Sequence, residues 1–110
     1  MAIANSLIGT TNTTLLTVPT GKQYAITTLM VCNNGNYDSG GSNDCAFDLH
    51  IIPDGQSIGP NNLVVNNLTV AGADTFTFDT ERIIIDEGDT IVLAGQIANR
   101  LTATLSYLEV

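Results

Sequence analysis

The chain has 110 residues, of which 44% are apolar and only 13% charged, and its formal net charge is −8. That length suffices for one domain, residues 1–110, burying about two-thirds of its unfolded surface without metal or obligatory disulfides. Eleven carboxylates against Lys22, Arg82 and Arg100 exclude nucleic acid and anionic membrane surfaces as partners, since both need clustered cations.

Apolar–polar alternation predicts strands throughout, and no stretch carries a helical period. In chain order the strands are expected at Ile3–Ile8, Thr13–Val18 and Tyr24–Asn33, then at Cys45–Ile52 after a polar loop, Asn34–Asp44. Pro53-Asp54-Gly55 closes that strand as a turn. Leu63–Val70 reads as a strand or a bent pair, followed by Thr75–Phe78, Arg82–Ile85, Thr90–Gly95 and Leu101–Val110. Three related turn phrases, centred on Gly21, Gly72 and Gly88, place glycine where positive φ is useful and flank it with strand formers. About eight or nine strands in this pattern predict an all-β, antiparallel two-sheet β-sandwich, with jelly-roll-like and Ig-like connections both open.

Alternation also assigns faces. Tyr24, Ile26, Met30 and Cys32 fall on one side of the third strand, and Ala25, Thr27, Leu29 and Val31 on the other. Cys45, Phe47, Leu49 and Ile51 share a face of the fourth, opposite Asp48 and His50. Few Lys or Pro residues blunt the sheet edges, which predicts coverage by another subunit and hence a homo-oligomer.

The chemistry-bearing residues are sparse. Cys32 and Cys45 bracket the loop on strands expected to be antiparallel neighbours, so a cross-strand disulfide and two buried thiols are both open. Asn34, Asn36 and Asp38 alternate as calcium ligands do, but Ser39 stands where an EF-hand needs Gly and no bidentate Glu follows. The loop therefore reads as a hairpin tip or interaction loop with Tyr37 as an anchor. Asp86, Glu87 and Asp89 read as a solvated turn, and His50 as a lone strand residue without a nucleophile partner. Asn12-Thr13-Thr14 and Asn67-Leu68-Thr69 match the glycosylation pattern by chance. No enzyme activity, metal or cofactor is expected. Met1–Ser6 lacks a basic start, so no secretory leader is expected, and synthesis is expected in a cytosol.

Leu16–Asn33 with its Pro19-Thr20-Gly21 turn, Val70–Thr75, and the ending from Asp86-Glu87-Gly88-Asp89-Thr90-Ile91 through Leu105-Ser106-Tyr107-Leu108-Glu109-Val110 resemble small virion structural proteins of tailed bacteriophages, including those of marine and freshwater bacteria. The resemblance spans nearly the whole chain and carries no catalytic residue. It implies a β-sandwich on the outside of a particle, as a head decoration or cement subunit or as a tail, neck or fibre module with a receptor- or carbohydrate-binding role. Partners would be other virion proteins and further copies of the chain, a trimer being one common arrangement. The long loop Asn34–Asp44 departs from the shorter connection expected of the family. Partner contacts are expected at Ile3, Leu7 and Ile8 in the N-terminal segment, at Tyr37 and Asp38 in the long loop, and at Ile58 and Asn62 in the loop Asp54–Asn62.

Overall fold

The computed structural model describes residues 2–78 and 83–110. Among the described residues nine strands form: β1 Ala2–Leu7, β2 Thr13–Thr17, β3 Gln23–Asn33, β4 Cys45–Ile52, β5 Leu63–Val70, β6 Thr75–Phe78, β7 Ile83–Asp86, β8 Thr90–Gly95 and β9 Leu101–Glu109. The alternation thus locates every strand to within two residues, and the expected start at Arg82 lies outside the described residues. A 3-10 turn, Pro60–Asn62, precedes β5.

Two antiparallel sheets pack face to face as a β-sandwich, one ordered β1-β9-β3-β6 with β7 also on β3, the other β2-β8-β4-β5. The pairing is nested about the β4–β5 connection. β4 pairs with β5, β3 with β6 and β7, β2 with β8, and β1 with β9. One long hairpin wound into two sheets in this way is a jelly roll, which settles the connection that alternation leaves open. β6 and β7 share one strand position, β7 beside Gln23–Ile26 and β6 beside Leu29–Cys32.

The core draws on every strand from β2 to β9 and on Ile8 just past β1, with Phe47, Leu49, Ile91, Leu93, Leu101 and Leu105 wholly buried. Thr27 interrupts the face pattern of β3. The register passes from Ile26↔Tyr107 to Thr28↔Ser106, so Thr27 and Thr28 together oppose one residue. Such a bulge moves the pleat on by one residue. Tyr24 and Ile26 face the core before it, and Leu29 and Val31 after it. Met30 and Cys32, expected to share a face with Tyr24 and Ile26, are therefore exposed on the outside.

Nesting also corrects the cysteine expectation. β3 and β4 are consecutive but lie in opposite sheets, because the pairing partner of β3 comes from the second half of the chain. Cys32 is exposed on the outside of one sheet, Cys45 is buried on the inside of the other, and both are free thiols. Of the three related turns, Gly21 and Gly88 adopt positive φ, 80° and 84°. Gly72 does not; the left-handed residue there is Ala73, at 65°. Gly72 is needed for a different reason: a Cβ would run into the Asn36 carbonyl of the long loop.

Candidate functional site: an uncharged sheet face and a tied loop

Antiparallel partners point to the same side of a sheet, so the register defines the outer face of the five-stranded sheet. Its rows are Ile3–Ser106–Thr28, Asn5–Thr104–Met30–Thr77, Leu7–Thr102–Cys32–Thr75 and Leu108–Ala25–Ile84. No Asp, Glu, Lys, Arg or His stands in these rows; the end row Gln23–Asp86, on the same side, holds a carboxylate, which accepts from Gln23 Nε2 at 2.5 Å. The threonines supply hydroxyls, as where Thr27 Oγ1 lies 2.7 Å from Ser106 Oγ, while Ile3 and Ile84 are 68% and 57% exposed. Among the described residues the charged side chains sit in turns and at strand ends, Asp48 in the middle of β4 being the exception. A chain of net charge −8 thereby keeps the broad middle of one face free of charge, with Asp86 at its end.

At the end of β3 the long loop is tied down by Asn33. This residue is 1% exposed, and after the Thr27 bulge its side chain points inward. Its Nδ2 donates to the Asn43 carbonyl at 2.7 Å and the Val70 carbonyl at 2.9 Å, and its Oδ1 accepts the Gly35 N–H at 2.9 Å. Arg100 Nη1 donates to Asn43 Oδ1 at 2.7 Å, and Asn34 Nδ2 to the Asn99 carbonyl at 2.9 Å. The loop is thus a folded cap across the sandwich end, with Tyr37, 71% exposed, projecting from it.

Asp38 serves the loop itself. Its Oδ1 accepts the Gly40 N–H at 3.0 Å, and its Oδ2 accepts the Ser42 hydroxyl. The Ser42 hydroxyl first, and the Gly40 N–H second, hold its carboxyl below the usual aspartate range. Ile3, Leu7, Tyr37 and Ile58 are exposed as expected of partner contacts. Two expected contacts are withdrawn from the surface. Ile8 is wholly buried in the core, and Asn62 is 6% exposed, its amide bonding the Gly59 N–H and the Ser57 carbonyl.

The acidic turn is more than solvated. Asp89 accepts the Asp54 N–H with Oδ1 and the Asp86 N–H with Oδ2, both at 2.8 Å, stapling two turns together. His50 lies half-buried on the outside of the four-stranded sheet, opposite Val92 and Leu63. Among the described residues no group of three or more His, Cys, Asp or Glu side chains is placed to hold a metal ion. Among the described residues no helix is long and apolar enough to cross a membrane.

The uncharged face escapes a reading by alternation because counting straight through Thr27 assigns Met30 and Cys32 to the wrong side. The inward turn of Asn33 escapes it for the same reason. A run of hydroxyl residues at alternate positions, Thr102, Thr104 and Ser106, is the signal in the sequence that points to that face. Compared with known proteins, the chain matches no family model, no curated protein and no solved structure.

Proposed function

We propose that this chain is a non-enzymatic virion structural protein of a tailed bacteriophage, docking on the particle exterior as a head decoration or cement subunit. The observation that supports this reading best is the uncharged middle of the outer face of the five-stranded sheet, with Asp86 only at its end, in a chain otherwise rich in carboxylates. Burying charge without a partner is expensive, whereas apolar side chains gain on burial and threonine hydroxyls that keep a hydrogen-bond partner are buried at far smaller cost. A standard interface buries about 800 Å² per partner, which a flat sheet face can supply. Apolar burial then contributes about 25 cal/mol per Å², less the loss of rigid-body and side-chain freedom. Many copies of an acidic chain can pack near one another if their carboxylates lie at the sandwich ends and not on the docking face.

Quantitative peptide mass spectrometry on purified virions, scaled to the major capsid protein, tests the reading. A copy number comparable to the capsid subunit is the expected result. A small multiple of the tail symmetry moves the protein to the tail, neck or fibres, and absence from the particle overturns the virion reading. A Thr104→Glu variant, charged at the centre of the face, is expected to fold normally and to be missing from the particle.

A further inference from the structure

A depression on the outside of the four-stranded sheet carries chemistry that the docking face lacks. It has a volume of about 210 Å³, below the range of about 300–1,000 Å³ usual for drug-sized ligands and suited to a single small ring. Four segments far apart in the chain bring polar side chains to it: Thr10 from the β1–β2 turn, Asp48 from β4, Asn67 from β5 and Gln96 from beyond β8. Ala46, Ala94 and Gly95 keep the lining small between them.

A bulge builds the site. Phe47 pairs with Leu68 and Leu49 with Val65, so Asn66 and Asn67 together oppose Asp48. Asn67 takes a left-handed conformation, φ 53°, and its N–H donates to Asp48 Oδ1 at 2.6 Å. Bulges re-aim side chains in this way, and Asn is among the few residues that accept the conformation. The bond orients the carboxylate and leaves acceptor capacity on it. Gln96 is oriented in turn, its Oε1 accepting the Ala46 N–H at 3.3 Å, which leaves its NH2 as a donor.

We propose that this depression is a binding subsite for a neutral polyhydroxyl ligand the size of one sugar ring. A hydroxyl both donates and accepts, so vicinal hydroxyls match a fixed carboxylate acceptor, a fixed amide donor and the adaptable Thr10 hydroxyl. Anions are disfavoured by Asp48 and the net charge of −8. One carboxylate among neutral amide and hydroxyl groups is a weak site for a divalent cation. Among the described residues no group of three or more His, Cys, Asp or Glu is placed to hold one. The lining has no exposed aromatic ring to stack a nucleobase. The subsite lies on the sheet opposite the uncharged face, so it does not rest on the docking proposal and stays open whether or not that face is covered.

The test is amide chemical-shift titration of the full 15N-labelled chain with methyl glucoside, methyl mannoside, methyl galactoside and N-acetylglucosamine at millimolar concentrations. The expected result is saturable shifts for at least one sugar, confined to the amides around Thr10, Asp48, Asn67 and Gln96. Asp48→Asn should weaken that binding about tenfold, the loss of one charge-assisted hydrogen bond. Thr10→Val and Gln96→Ala, outside the bulge, should weaken it too and decide the matter if Asp48→Asn disturbs the fold. Shifts that saturate for no sugar, shifts centred elsewhere, or wild-type binding by these variants would each overturn the proposal.

Discussion

Asn33 and Val70 join the two sheets: the Asn33 side-chain amide, in β3 of one sheet, donates to the Val70 carbonyl at the end of β5 in the other, at 2.9 Å. Both residues are buried, at 1% and 3% exposure, so water cannot replace the bond. Asn33→Leu would strand the Val70 and Asn43 carbonyls and the Gly35 N–H. Each unsatisfied buried group costs about 1–3 kcal/mol, and relaxation recovers part, giving an expected loss of about 2–4 kcal/mol. Urea unfolding at neutral pH measures it, and a loss below about 1 kcal/mol would mean that the tie contributes little.

The turn glycines should part company on substitution. Gly21 has φ 80° and open space around its Cα, so Gly21→Asn should lose only a few tenths of a kcal/mol, because Asn tolerates the left-handed region. At Gly72 the obstacle is the Asn36 carbonyl, which no choice of side chain avoids. Gly72→Asn and Gly72→Ala should both push the long loop off the sandwich end and lower the midpoint of thermal unfolding well below that of Gly21→Asn. Equal midpoints for the two sites would contradict the close-approach role.

Asp38 makes the long loop acid-sensitive. Its folded pKa lies below the ordinary value of 3.8, held there chiefly by the Ser42 hydroxyl and then by the Gly40 N–H. The contribution is therefore fully present above about pH 5. It falls away as pH drops past 3.8 and through the lowered folded value. Amide signals of Gly40 and Ser42 should move toward random-coil positions over that window and stay put near neutrality. Asp38→Asn should abolish the pH response of these two amides while leaving the rest of the spectrum unchanged.

The two thiols should differ sharply in reactivity. Cys32 is exposed on the outer face, whereas Cys45 is wholly buried, with its sulfur accepting the Ile97 N–H at 3.3 Å. Iodoacetamide is expected to label Cys32 in the folded chain and Cys45 only on unfolding. If the uncharged face docks on a particle, Cys32 becomes protected there as well. Recovery of a Cys32–Cys45 disulfide peptide from the folded protein would contradict the placement of these residues in opposite sheets.

The strands themselves were legible in the residues, because a half-buried strand needs apolar side chains at every second position whatever it pairs with. So were the turns at Gly21 and Gly88, where positive φ selects glycine locally. Pairing was not legible. Cys32 and Cys45 stand at neighbouring strand ends in the chain and in opposite sheets in space, since β3 buries its edges against β9, β6 and β7.

Composition and alternation by themselves determined an acidic, all-β chain with strands placed almost to the residue. Only the tertiary structure decided which way its side chains face after a bulge, because one extra residue at Thr27 reverses every later assignment on that strand. The same holds for the four polar residues of the depression, Thr10, Asp48, Asn67 and Gln96. They come from separate segments, and the long-range pairing of β4 with β5 and β8, together with the inter-segment bonds beside it, brings them together.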